Sequence, residues 1–82
     1  MELTVNVKLN GMPTAKRAAK AAEKMSTFKS TVLLRRGDAT VTAKSLLGLL
    51  SLQLQENMGV TIIANGEDEA QAVCAMAELL GA

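Results

Sequence analysis

The sequence contains no histidine, tryptophan or tyrosine, and its one cysteine, Cys74, has no partner for an internal disulfide bond. Without His and with a single Cys, the chain lacks the ligands of an ordinary zinc site, so neither a metal nor a cofactor is expected. Phe28 is the one aromatic residue, which leaves aliphatic side chains to build the core. No apolar run approaches the roughly 20 residues of a membrane-spanning helix, and the N-terminus has no signal-peptide pattern. These absences predict a cytoplasmic protein without membrane insertion.

The composition is typical of one small folded domain with an uneven distribution of charge. The 82 residues are 49% apolar, which favours a single domain over residues 1–82 rather than a disordered chain. The net charge is +1, but all nine Lys and Arg precede residue 45, so residues 1–44 carry +6 and residues 45–82 carry −5. We expect a basic surface that attracts an acidic protein or a phosphate group. Nucleic acid is not an expected partner, because aromatic residues for base stacking are lacking and the net charge is near zero.

The apolar pattern predicts four strands and three helices. The strands cover residues 3–7, 31–36, 39–43 and 60–64, with a turn at Gly37-Asp38 and with Val41 facing the core. The helices cover residues 14–26, about 46–53, and a last segment that starts near the acidic residues 67–69. The order β-α-β-β-α-β-α favours an α/β (α+β) open-faced sandwich, in which three helices cover one face of a four-stranded antiparallel sheet.

Helical periodicity predicts which side chains of the first and last helices are buried. Residues at intervals of three and four share one face of a helix, and the apolar residues at such spacings form a core-facing stripe. The expected stripes are Ala18, Ala22 and Met25 in the first helix, and Val73, Met76, Ala77 and Leu80 in the last. Cys74 lies beside the second stripe, so we expect a buried and inert thiol rather than a nucleophile.

The first predicted helix begins with two cations, although the positive end of the helix dipole disfavours them. Thr14 is the expected N-cap, followed by Ala15, Lys16 and Arg17, and Lys20 continues the basic stripe. One interpretation is a solvated helix start with ordinary surface charge. The other is a site for a small anion, in which free N–H groups act together with the two cations.

The second predicted helix holds five leucines within two turns, preceded by Ser45 as the expected N-cap. The leucines expected to face the core are Leu46, Leu49 and Leu52, and those expected at its side are Leu47 and Leu50. Either all five pack into the core of a small protein, or some of them form an apolar patch for a partner.

The order of elements and three segments resemble the HPr family, the histidine-containing phosphocarriers of the bacterial sugar phosphotransferase system, and their catabolite-repression relative Crh. The segments are STFKSTV at 26–32, AKSLLGLLSL at 43–52 and NGEDEAQAV at 65–73. The resemblance covers essentially the whole chain and leans towards Crh in the second half. It implies the open-faced sandwich fold and a protein that is not an enzyme.

The resemblance fails at the family's phosphoryl-acceptor motif, Gly-Ile-His-Ala-Arg-Pro-Ala. Counted back from Phe28, this motif falls on residues 12–18. It then implies that Thr14 replaces the phosphorylated His and that Lys16 replaces the Arg that cradles the phosphoryl group. A Thr hydroxyl without an activating base is a weak nucleophile, and its phosphate ester would be too stable to pass on. Phosphohistidine carrier activity is therefore not expected.

The resemblance also implies a second site, at Ser45. In this family the corresponding serine is phosphorylated by the ATP-dependent HPr kinase, and the product binds a transcriptional regulator of catabolite genes. The partner-binding residues implied are Lys20, Leu46, Leu47 and Leu50, and the implied partners are phosphotransferase-system proteins or such a regulator. Two alternatives remain open: a structural or designed variant of HPr without activity, and an accessory domain on this fold that binds an anion or another ligand.

Overall fold

The computed structural model describes residues 1–11 and 13–81. In chain order the elements are β1 (Glu2–Asn6), α1 (Thr14–Met25), β2 (Thr31–Arg36), β3 (Ala39–Thr42), α2 (Leu46–Ser51), β4 (Gly59–Asn65) and α3 (Glu69–Leu79). The predicted order is confirmed, and most element ends fall within one or two residues of the expected positions. Met12, which the resemblance places in the phosphoryl-acceptor motif, lies outside the described residues.

The four strands form one antiparallel sheet in the order β1-β4-β2-β3. The register aligns one row of side chains across the whole sheet: Leu3 pairs with Ile62, Ile62 with Leu34, and Leu34 with Val41. Since alternate residues of a strand point to opposite faces, this register puts Leu3, Ile62, Leu34 and Val41 on one face. The helices cover that face, which confirms the predicted open-faced sandwich.

The fully buried part of the core between the two layers consists of aliphatic side chains and methionines, and Phe28 packs against it. Ile62 and Leu34 from the sheet and Met25 and Met76 from the helices are fully buried, and the predicted stripe of α1 is buried throughout. The expectation that Val41 faces the core is only partly met, because Val41 is half-buried, and Leu3 in the same row is 41% exposed. Both lie on edge strands, where the helices cover less of the sheet. Within the described residues, no helix has the length and apolar character needed to cross a bilayer.

The sequence predicted the N-cap of α2 correctly but not the N-cap of α1. Ser45 caps α2 as expected, and its Oγ accepts a 3.1 Å hydrogen bond from the Gly48 N–H. Thr14 does not cap α1. Pro13 occupies the N-cap (φ −58°, ψ 139°), and Thr14 is the first helical residue. The Thr14 hydroxyl donates instead to the Leu54 carbonyl at 3.3 Å, which ties α1 to the segment after α2.

Asp68 anchors the start of α3 to the segment before β2. Its carboxylate accepts hydrogen bonds from the backbone N–H groups of Lys29 and Ser30, both at 2.9 Å, and from the Ser30 hydroxyl. The Ser30 hydroxyl and then the Lys29 N–H hold the pKa of Asp68 below its ordinary value of 3.8. Each of these bonds favours the charged carboxylate, so ionised Asp68 stabilises the folded state.

We expect Asp68→Asn to lower the stability of the protein at neutral pH. The stability of this variant should also depend less steeply on pH in the acid range. A carboxylate whose folded pKa is depressed contributes stability that is fully present above its unfolded pKa, near 3.8, and is lost as the pH falls through the folded pKa. Urea unfolding between pH 2 and 7 measures the free energy of unfolding of the parent and of Asp68→Asn. The difference between these two free energies should shrink towards low pH. Asp38→Asn, in the exposed β2–β3 turn, should have the same pH dependence as the parent. A constant difference at every pH would contradict the assignment.

Candidate functional site

The exposed face of α1 carries a basic stripe. Lys16, Lys20 and Lys24 lie four residues apart and are all solvent-exposed, so they project from one side of the helix. Ala15 is also exposed, and Thr14 is half-buried. No acidic residue lies in the first turn. This part of α1 therefore presents positive charge to the solvent.

Arg17 does not join this surface. Its side chain is only 7% exposed, and its guanidinium donates three hydrogen bonds to backbone carbonyls. One terminal nitrogen donates to Lys8 at 2.9 Å and to Leu79 at 2.8 Å, and the other donates to Leu9 at 2.7 Å. The expectation that Arg17 and Lys16 point into one anion site is therefore wrong: Lys16 faces the solvent, while Arg17 joins the end of α3 to the segment after β1.

Helical periodicity could have placed Arg17 correctly. Arg17 precedes Ala21 by four residues and Met25 by eight, and both of these are buried. Residues at these spacings share one face of a helix. The positive charge of Arg17 favours a surface position, but its spacing places it on the apolar stripe.

The leucines of α2 separate into a buried set and an exposed set. Leu49 and Leu52 are 0% and 2% exposed, whereas Leu46 is 42% and Leu47 is 79% exposed. Leu50 is half-buried and packs against the core. The expectation that Leu46 faces the core is wrong, since the inward face of this six-residue helix is confined to its later residues. The Leu46–Leu47 pair thus forms an apolar patch directly after Ser45.

Gly48 lies close to β3. A Cβ at this position would be 3.3 Å from the Val41 Cβ and 3.4 Å from the Thr42 carbonyl oxygen, so a larger residue would require a shift of a few tenths of an ångström between α2 and β3. The helix also packs against α1. These contacts cover two sides of α2, and the Leu47 side chain in its first turn stays exposed to the solvent.

Cys74 is exposed, so the prediction of a buried thiol is wrong. The buried face of α3 runs through Ala72, Val73 and Met76, and Cys74 falls on the opposite side of the helix. Across residues 1–11 and 13–81, no cluster of three His, Cys, Asp or Glu side chains is suited to hold a metal ion.

Comparisons with known proteins agree with this fold. The family described as "PTS HPr component phosphorylation site" matches residues 1–82. The HPr-like protein Crh of Bacillus subtilis is 39% identical over 69 residues, which are 84% of this chain and 81% of Crh. The phosphocarrier protein HPr of Xylella fastidiosa is 37% identical over 78 residues, which are 95% of this chain and 85% of that protein.

A solved structure supports the same assignment. The phosphocarrier protein HPr from Bacillus anthracis superposes with a TM-score of 0.91 at 28% identity, covering 98% of this chain and 95% of that one. The match over the full sequence and the common fold together show that this chain belongs to the HPr family of the phosphotransferase system, a family of phosphocarrier proteins that are not enzymes.

Proposed function

We propose that this chain is a regulatory member of the HPr family that acts through protein contacts at α2 and has no phosphohistidine carrier activity. The observation that carries the proposal is Leu47, which is 79% exposed two residues after Ser45. A large apolar side chain so exposed at the start of a helix, beside a serine hydroxyl, favours a docking surface that one phosphorylation can alter.

The loss of carrier activity follows from the residue types. The sequence contains no histidine, so no imidazole is available to form a labile N–P bond. The resemblance places Thr14 at the acceptor position, where the half-buried hydroxyl donates to the Leu54 carbonyl at 3.3 Å. Within residues 1–11 and 13–81, the exposed sequence neighbours of Thr14 are Pro13, Ala15 and Lys16, and none of them carries a carboxylate or imidazole that would activate this hydroxyl.

Ser45 is the candidate regulatory phosphosite. Its hydroxyl accepts from the Gly48 N–H at 3.1 Å, and the residue is half-buried, with exposed residues following it. A phosphate on this oxygen would lie at the positive end of α2. Phosphorylation would add a charge of about −1.5 to −2 beside the apolar patch of Leu46 and Leu47, which would change the chemistry of the surface offered to a partner.

The partner that fits this surface is a protein with an apolar contact and acidic residues around it. The apolar part would bind Leu46, Leu47 and the accessible part of Leu50. Lys20 lies on the exposed face of α1, the helix that packs against α2, and would attract acidic side chains. Phosphotransferase-system proteins or a regulator of catabolite genes are the partners that the family suggests.

The experiment is incubation with an HPr kinase and ATP, followed by intact-mass measurement and mapping of the modified residue. We expect one phosphate per chain, on Ser45, and none on Ser45→Ala. Ser51→Ala is the matched control, because Ser51 lies in the same helix and is exposed, with its hydroxyl donating to the Gly48 carbonyl. This control should be modified as fully as the parent.

Two outcomes would overturn the proposal. An unmodified parent that circular dichroism shows to be folded would mean that the regulatory site is not used. Phosphorylation of the Ser45→Ala variant at another residue would mean that Ser45 is not the regulatory site. The proposed loss of carrier activity is tested separately, by incubation with phosphoenolpyruvate and the phosphotransferase system's enzyme I. An acid-labile phosphoryl adduct on the chain would contradict it.

A further inference from the structure

The face of the sheet that the helices leave open carries two apolar side chains at its centre. Leu33 of β2 lies opposite Ile63 of β4 in the register, and both are half-buried. They alternate with the fully buried Leu34 and Ile62, so they point to the other face of the sheet. Within residues 1–11 and 13–81, neither belongs to the core or to the apolar residues packed against it. The Leu33–Ile63 pair is therefore an apolar centre on the side of the molecule opposite the helices.

Threonine hydroxyls lie beside this apolar centre. The next row of the same face runs across all four strands and consists of Thr4, Thr61, Arg35 and Thr40. The hydroxyl oxygens of Thr4 and Thr61 are 3.0 Å apart and share a hydrogen bond. These two hydroxyls keep that bond when water is removed from the face, which lowers the cost of covering them.

One ion pair crosses the open face. It joins Arg35 to Glu2, with 3.8 Å between the guanidinium Nη2 and the carboxylate Oε1. Their strands, β2 and β1, lie on either side of β4, so the two side chains have to reach across that strand. The side chains are 46% and 60% exposed, and an ion pair so exposed holds its partners weakly. The face thus offers one positive and one negative charge that can both pair with another molecule.

We propose that this open face is a self-association surface, on which a second copy of the chain packs sheet against sheet in a weak two-fold dimer. Two sheets pack face to face about 10 Å apart with their strands nearly aligned. A two-fold axis that runs parallel to the strands, between β4 and β2, would place Leu33 of each copy on Ile63 of the other. The same patch would then cover itself, as a two-fold interface requires.

The charges on the face favour a second copy over a partner of one charge sign. In the two-fold arrangement, Arg35 of each copy lies over β4 of the other copy, one strand to the side of the Glu2 there. This lateral separation is about 4.8 Å, whereas Arg35 and Glu2 of one chain are two strands apart. Pairing between copies therefore demands less reach than pairing within one chain. A uniformly acidic or basic partner would match only one of the two charges.

The size of the face limits the strength of this contact. Four strands about 4.8 Å apart, each with about five residues of 3.3 Å, give a face of roughly 19 by 17 Å. Such a face falls at the low end of protein interfaces, below about 1,200 Å² in total, where association is weak. We therefore expect a dissociation constant on the order of 0.1–1 mM. Both α2 surfaces would stay accessible, because the helices lie on the other side of the sheet.

The experiment is sedimentation equilibrium of the whole chain at low ionic strength, from about 0.02 to 2 mM, a range that brackets the expected dissociation constant. Nitrogen–proton NMR spectra are recorded over the same concentrations. We expect a reversible monomer–dimer equilibrium, with the largest shifts in the amide signals of Leu33, Arg35, Thr61 and Ile63. A chain that stays monomeric over the whole range would overturn the proposal and leave the face to water or to a different protein.

Two leucine variants locate the contact. Leu33→Thr removes the apolar contact but keeps a residue that favours strands, so we expect dimerisation to weaken at least tenfold. Leu47→Ala is the matched control, because it truncates a leucine that is 79% exposed on α2, and it should dimerise like the parent. Circular dichroism checks that both variants are folded. Loss of dimerisation in Leu47→Ala but not in Leu33→Thr would place the contact at α2 and overturn the proposal.

Two charge variants give a second test that leaves the apolar pair intact. Glu2→Arg or Arg35→Glu alone would set like charges against each other, so each variant should stay monomeric where the parent dimerises. An equimolar mixture restores opposite charges at both contacts and should form a heterodimer. Dimerisation of each variant as strong as that of the parent would overturn the proposal, and so would a mixture that stays monomeric. None of these results depends on whether Ser45 is phosphorylated.

Discussion

Replacing Arg17 by methionine is expected to lower the free energy of unfolding by about 1–3 kcal/mol, the cost typical of leaving buried acceptors without their donor. Three backbone carbonyls, those of Lys8, Leu9 and Leu79, would lose their donor in a partly buried region. A domain of this size is stable by roughly 4–12 kcal/mol, so the loss would be a substantial fraction of its stability. Urea unfolding followed by circular dichroism measures the change.

Two controls show whether the hydrogen-bond geometry or the charge is responsible. Arg17→Lys keeps the charge but cannot reach three carbonyls with a planar fork, so we expect most of the loss to remain. Lys16→Met removes a neighbouring cation from the exposed face of α1 and should change the stability by less than about 0.5 kcal/mol. If Arg17→Met were as stable as the parent, the guanidinium would not be holding the end of α3 to the segment after β1.

Leu49→Ala and Leu47→Ala are expected to differ sharply, although the two residues are only two positions apart. Leu49 is fully buried, and its truncation should cost about 2–5 kcal/mol through lost burial and the cavity left behind. Leu47 is 79% exposed, so its truncation should change stability by less than about 0.5 kcal/mol. Thermal and urea unfolding of the two variants measure the contrast.

This pair also isolates function from folding. If Leu47→Ala keeps the stability of the parent as expected, any weaker binding of a regulator by this variant would come from the lost contact rather than from partial unfolding. Comparable destabilisation by both variants would mean that Leu47 is covered by the rest of the protein, and the docking surface proposed at α2 would then have to be abandoned.

Local patterns in the sequence were sufficient to predict the fold. The alternation of apolar residues placed the strands, and the Gly37-Asp38 turn joined β2 to β3. The Ser45 cap was predicted because its hydrogen bond to Gly48 spans only three residues and so depends on local geometry alone. The Thr14 cap was wrong because Pro13 takes the N-cap position and Thr14 is already helical, and the Thr14 hydroxyl donates to the Leu54 carbonyl, forty residues away in the sequence.

The candidate sites were predicted less completely, because exposure depends on neighbours that are distant in the chain. Leu46 and Leu49 lie three residues apart on one helix, yet one is 42% exposed and the other is fully buried. Periodicity predicts a common face for both, but only the packing of α2 on β3 and α1 decides how far along the helix that face is covered. Cys74 was misplaced for a similar reason, since its side of α3 faces the solvent rather than the sheet.

The sequence by itself determined the order of the elements, the aliphatic core and the absence of a histidine that could carry a phosphoryl group. These properties depend on residue types and on spacings of two to four residues. Only the tertiary structure decided which carbonyls the Arg17 guanidinium binds, those of Lys8 and Leu79 among them, and formed a cavity that joins Asn10 and Lys20 to Glu78. The physical reason is that these contacts arise when the helices pack on the sheet and bring residues about sixty positions apart together, which no local pattern encodes.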